Sequence, residues 1–143
     1  MKLTIGKKKK RFRTSITERP WGDFIWFSRN EPSTVKILRV KYGESLSLQY
    51  HFNRDQLYYI LDEDFLIEYS RKKIPLTGIS GQFIEKYVQT DMAQTGDAYG
   101  FMRGYLHRVS YFGKRKHGRI LDVAFGKNDE KDIIRVEDNY GRK

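Results

Sequence analysis

Three histidines and no cysteine restrict the chemistry open to this chain of 143 residues. His51 lies in the stretch LSLQYHFNRDQ at 46–56. Strand alternation puts Ser47, Gln49, His51 and Asn53 on one side of that stretch, and Leu46, Leu48, Tyr50 and Phe52 on the other. One face is apolar and the opposite face carries side chains that can act as ligands. Gly43 is followed by five residues, then Gln49, one residue, His51, four residues and Gln56. Downstream, Gly96 is followed by five residues, then Met102, Arg103, Gly104, two residues and His107. The chain between the two segments is long enough for several hairpin strands, so His107 can return beside His51. Gln49, His51, Gln56 and His107 then form a candidate metal set. Two imidazoles and two amide oxygens hold a divalent ion, though less tightly than a set containing a carboxylate. The plainer reading of two inward histidines is a pair of hydrogen-bonded core residues. His117, in GKRKHG, reads as a loop residue.

Cations for an anionic ligand lie close to both segments. Lys36, Arg54, Arg103 and Arg108 are the candidates, since arginine offers a planar fork of donors to a phosphate and lysine a point charge. Alternation favours Arg54 at its strand end and turns Arg108 away from His107. Glu18, Glu44, Asp55 and Glu137 are carboxylates that could serve as a base, and the sequence does not choose among them.

These residues must be positioned by short strands. DFIWFS, TVKILRVKY, SLSLQYHF, QLYYIL, FLIEYS, QFIEKYVQ, DAYGFM, HRVSYF and RILDVAF all have strand character, and turn material such as YGE, DED, TGD and RG separates them. TERPWG reads as a structured entry turn. No stretch reads as an amphipathic helix of three turns. The expected architecture is all-β, a barrel or sandwich in one domain. Residues 132–136 read either as a short strand or as a helical turn.

Aromatics make up 15% of the chain and ten of them are tyrosines, which suits packed rings on pleated sheets. The lack of cysteine excludes a disulfide framework, a thiolate metal site and a cysteine nucleophile. No apolar run approaches membrane-span length, the N-terminus lacks the apolar core of a signal peptide, and a cytoplasmic location is expected. The net charge of +10 is concentrated: residues 1–13 hold seven of the 28 basic residues and none of the 18 acidic ones. KKKKRFR at 7–13 is therefore a basic tail rather than a basic domain, expected to be mobile. Its contact with a polyanion would depend on salt and not on sequence. The boundary between tail and folded domain is placed at residues 16 and 17.

The two histidine segments resemble the paired motifs of the cupin superfamily, with Gln49 and His51 in the places of the paired first-motif ligands. The flanks resemble the type II mannose-6-phosphate isomerases, the C-terminal module of bifunctional mannose-1-phosphate guanylyltransferase/mannose-6-phosphate isomerases. The matching stretches are ERPWG at 18–22, Lys36 in TVKILRV, GESLSLQYHFNRDQLYYIL at 43–61, GYLHRV at 104–109 and DIIRVEDNYGR at 132–142. The resemblance implies a cupin barrel from residue 17 onward, a divalent metal at Gln49, His51, Gln56 and His107, and a homodimer. It also implies interconversion of mannose 6-phosphate and fructose 6-phosphate through an enediol. Lys36, Arg54 and Arg142 are the expected substrate-binding residues, and Arg54, Glu44 and Lys36 the candidates for catalysis. Arg135 and Arg142 belong to the closing motif and are expected to fold over the barrel mouth. Gln56 stands where the family has a glutamate ligand, which removes a negative charge and lowers the expected metal affinity. The alternative expectation is a sugar-phosphate-binding cupin without turnover.

Overall fold

The computed structural model describes residues 14–30 and 33–143. The run 7–13, with the mobility and polyanion contact expected of it, lies outside the described residues. In chain order the elements are β1 (Ser15–Arg19), β2 (Gly22–Ser28), β3 (Thr34–Lys41), β4 (Leu48–Tyr50), β5 (Arg54–Ile60) and β6 (Phe65–Ser70). Then come α1 (Gly81–Tyr87), β7 (Val88–Ala93), β8 (Ala98–Phe101), β9 (His107–Tyr111), β10 (His117–Gly126), a 3-10 turn (Glu130–Asp132) and β11 (Ile134–Glu137). They form a six-stranded sheet in the order β1-β2-β3-β10-β5-β8 and a five-stranded sheet in the order β11-β4-β9-β6-β7. Neighbours pair antiparallel throughout.

The two sheets close on one core. Phe24, Leu38, Tyr58, Ile60 and Ile120 from the six-stranded sheet meet Phe65, Ile67, Val109 and Tyr111 from the five-stranded sheet. Alternation supplies these inward sets, because every second residue of β3, β5 and β10 is buried. The result is the barrel that the cupin resemblance implies.

Gly22 at the start of β2 is required by close approach. Its φ is 149°, and a Cβ there would sit 2.0 Å from the Arg39 carbonyl oxygen. The tight entry written in ERPWG therefore depends on that glycine.

Three sequence readings are corrected. QFIEKYVQ is not a strand: residues 81–87 are helical and the strand begins at Val88. The Ser80 hydroxyl caps the helix by accepting from the Phe83 amide at 3.2 Å, and Phe83 packs against Leu48 and Leu106 on the outer side of the five-stranded sheet. SLSLQYHF is not continuous strand. Only Leu48–Tyr50 pairs regularly, preceded by a single bridge between Ser45 and Ser110. Leu46 and Leu48 do not share one face of LSLQYHFNRDQ, since Leu46 joins the main core while Leu48 lies under α1. The first strand opens at Ser15. Ile16 pairs with Ile25 there, and the Trp26 indole donates to the Thr17 hydroxyl at 2.8 Å. Between residues 130 and 137 the chain forms both alternatives, a 3-10 turn and then a strand.

Candidate functional site

A cavity of about 60 Å3 lies inside the barrel, against β2, β3, β5 and β10 and under the closing segment 128–142. Its apolar wall is made by Trp21, Phe24, Trp26 and Leu38. Five cationic side chains line it, Arg19, Lys36, Arg54, Arg135 and Arg142, against two carboxylates, Asp122 and Glu130.

The deepest charged pair follows from strand register. Lys36 of β3 lies directly opposite Asp122 of β10, and their side chains meet at 3.7 Å, both buried. Both sit at inward positions of apolar strands and are buried. Burial pushes the Lys36 pKa down against the pull of Asp122. Burial likewise pushes the Asp122 pKa up, opposed by Lys36 and Arg54. The Lys36 ammonium also lies over the rings of Phe24 and Trp26, at 4.8 and 5.0 Å from their centroids. Gln56 of β5 donates its amide to both Asp122 oxygens at 3.3 Å, while its own side-chain oxygen is buried and has no partner among the described residues.

Arg54 stands at the start of β5 and is only 3% exposed. Its guanidinium lines the cavity, donates to the Asn128 side-chain oxygen and donates to His51 Nε2 at 3.3 Å. His51 Nδ1 faces the Asp132 carbonyl oxygen at 3.1 Å. Both contacts are satisfied only when Nδ1 carries the proton and Nε2 accepts, which fixes a neutral ring. His107 Nδ1 donates to the Tyr105 carbonyl at 3.2 Å, which leaves its Nε2 without a partner among the described residues. The two rings lie 5.2 Å apart. Burial, joined by His107 and Arg54, drives the His51 pKa down to about 2, and burial drives that of His107 down to about 4.

The sequence-derived set is therefore split. Gln49 and Gln56 line the cavity, but His51 and His107 do not; they form a pair beside Arg54. Lys36, Arg54 and Arg142 do line it. Glu44 does not: its carboxylate accepts the Tyr140 hydroxyl outside the cavity, because the turn after β3 carries it away. Arg103 pairs with Asp55, and Arg108 with Glu68 and Glu137, all away from the cavity. The sequence reading passed over Asp122, Asn128, Arg19 and Glu130. Asp122 was findable, since alternation in RILDVAF puts it on the core face with Ile120 and Ala124.

The donor set does not fit a divalent metal. The His51 lone pair already accepts from a cation, Gln49 Oε1 accepts from the Ser47 hydroxyl at 2.6 Å, and the carboxylate beside Gln56, Asp122, is paired with Lys36. Among the described residues no group of three or more histidine, cysteine or acidic side chains is spaced to hold a metal ion. The four residues named from the sequence are neighbours, but they do not form a coordination shell around the cavity.

A family model described as mannose-6-phosphate isomerase C-terminal matches residues 6–138. No curated protein sequence matches the chain. Among solved structures, the capsular polysaccharide assembling protein CapF from Staphylococcus aureus superposes with a TM-score of 0.68 at 11% identity, over 88% of this chain and 35% of that one. KdgF from Halomonas sp. superposes with a TM-score of 0.65 at 12% identity, over 87% of this chain and 99% of that one. Recombinant oxalate oxidase in complex with glycolate gives 0.56 at 12% identity, over 73% and 46%. The chain thus spans about a third of the length of CapF. At these identities the likeness is one of fold.

Proposed function

The chain belongs to the mannose-6-phosphate isomerase C-terminal family of cupins, and from that premise we propose that its barrel cavity binds a hexose 6-phosphate through its phosphate group. One observation carries this reading. Of the five cations at the cavity, three are engaged by carboxylates: Lys36 by Asp122, Arg19 by Glu130 and Arg142 by Asp138. Arg54 and Arg135 have no carboxylate partner among the described residues, and each keeps a buried Nε–H without an acceptor. Two guanidiniums without a carboxylate ion pair complement a phosphate dianion, although Arg135 already donates one N–H to the Lys143 carbonyl oxygen at 2.8 Å. The cavity has room for a phosphoryl group, and the indole of Trp26 offers an apolar surface for a sugar ring. Calorimetric titration with mannose 6-phosphate, mannose and inorganic phosphate tests it. Binding of mannose 6-phosphate with no heat from mannose is expected, and absence of mannose 6-phosphate binding would remove the reading.

A second reading, turnover, is favoured by the Asp122–Lys36 pair at the cavity wall. The Asp122 carboxylate takes the C2 proton of mannose 6-phosphate, and the electron pair forms the C1–C2 double bond of an enediolate. The Lys36 ammonium faces the oxygen on which charge develops. Return of the proton to C1, with the hydroxyl proton passing from O2 to O1, gives fructose 6-phosphate. Proton NMR in deuterium oxide decides this. Loss of the C2 proton signal, abolished by Asp122→Asn, is the expected result; retention of that signal with wild type leaves binding alone.

A further inference from the structure

We propose that the Arg54 guanidinium stands in the place of a metal ion, so that the site binds its anion without a metal; this rests on the phosphate-binding reading above. A bound divalent ion would do two things here: take the imidazole lone pairs and present positive charge to the ligand. Arg54 does both. On one side it donates to His51 Nε2 at 3.3 Å, and on the other its side chain lines the cavity, with its Nε–H buried and unpaired among the described residues.

The guanidinium is built in rather than passing through. It is 3% exposed, and it rests on Asn128, whose backbone N–H donates to the Asn30 side-chain oxygen at 2.9 Å. His51 is fixed from behind by the Asp132 carbonyl, so the ring cannot turn Nε2 away without losing both contacts. A dication entering beside Arg54 would meet a cavity with five positive and two negative side chains. It would also have to displace a donor from the lone pair it needs.

The chemistry of the unpaired atoms points to the ligand class. Arg54 Nε and Arg135 Nε are donors, and Gln56 Oε1 is an acceptor; all three are buried and without a partner among the described residues. A ligand with anionic oxygens and a hydroxyl satisfies all three at once. A bare metal ion has Gln56 Oε1 and the unpartnered His107 Nε2 to take, but His107 does not line the cavity, and the two guanidiniums repel a dication.

The experiment is zinc calorimetry at neutral pH on wild type, Gln56→Glu, Arg54→Met and the double variant Arg54→Met/Gln56→Glu, with folding checked by circular dichroism. Wild type and Gln56→Glu are expected to bind no zinc. The double variant is expected to bind at least about tenfold more tightly than either. Zinc bound stoichiometrically by wild type or by Gln56→Glu alone overturns the proposal, as does a folded double variant that stays blind to zinc. Nitrogen-15 NMR of wild-type imidazoles decides the matter if the variants fail to fold. His51 is expected to remain the Nδ1–H tautomer with an unshifted Nε2 signal in excess zinc, and a metal-shifted Nε2 signal overturns the proposal. A mannose 6-phosphate titration in chelator separates this from the binding reading. Binding that requires zinc refutes the role of Arg54 and keeps the ligand. No mannose 6-phosphate binding with or without zinc, together with zinc-blind wild type, refutes the ligand and keeps Arg54.

Discussion

At the residue scale the site is governed by groups held away from water. His51 and His107 stay neutral because burial lowers their pKa values to about 2 and about 4, from 6.5. A histidine whose folded pKa is depressed binds its proton more readily in the unfolded chain. Its contribution is therefore whole above pH 6.5 and is lost as pH falls toward the folded value. For His107 alone the shift corresponds to about 3 kcal/mol. Asp122, raised by burial, acts in the opposite sense, while Asp62 and Asp138, lowered by Arg119 and Arg142, lose their contribution only below their ordinary value of 3.8. Two histidines against one carboxylate give the sign. The melting temperature is expected to fall between pH 6.5 and pH 4, and a flat or rising profile measured by calorimetry would contradict the buried neutral pair. Much of this was legible in the residues. Gln49 and His107 are direct partners across β4 and β9, while Gln49 and Gln56 line the cavity and the two histidines do not. Coordination did not follow, because it depends on where the Arg54 side chain goes, and spacing says nothing about that. Alternation places Asp122 on the core face, but it does not show its pairing, because its partner Lys36 lies 86 positions earlier.

At the element scale the closing segment is what completes the site. Asp132 ends the 3-10 turn and accepts the amides of Phe52 and Asn53, both at 2.9 Å, while its carbonyl holds His51. One residue thereby fastens the C-terminal segment to the loop after β4. Charge-assisted hydrogen bonds to backbone amides are worth roughly 1.5–3 kcal/mol each. Asp132→Ala is expected to destabilise the protein by about 3 kcal/mol in denaturant unfolding and to weaken mannose 6-phosphate binding. A loss below about 1 kcal/mol would show that the segment is held elsewhere. Strands were readable where one face is inward and the pattern is strict, as in β3, β5 and β10. Helix α1 escaped because seven residues show barely two turns, although Ser80 followed by Phe83 over GQFIEKY is a capped start with one buried anchor.

At the scale of the whole molecule, the outward side of the six-stranded sheet is itself apolar. Ile25, Ile37, Leu121 and Tyr59 lie side by side across four strands, and Val35, Val123 and Leu57 form the next row. Leu57 and Tyr59 are each 43% exposed. The nearby Arg39 and Arg119 are paired within the chain to Asp23 and Asp62, so two copies could meet here without bare like charges. A homodimer covering this face is expected in light scattering, and Tyr59→Lys is expected to give a monomer; a wild-type monomer at high micromolar concentration would contradict it. The charge excess belongs to a different part of the chain. Deletion of residues 1–13 removes seven cations and is expected to weaken binding to heparin while leaving the melting temperature within about a degree. A large fall in melting temperature would show that the tail contributes to folding.

The most direct test of the account is a crystal structure of the protein with mannose 6-phosphate, grown in the presence of chelator. The account predicts the phosphate inside the barrel, within hydrogen-bond distance of Nε of both Arg54 and Arg135, with the Arg54–His51 contact intact. A phosphate bound elsewhere on the surface, or one reached only through a metal ion seated on His51 and His107, would contradict it.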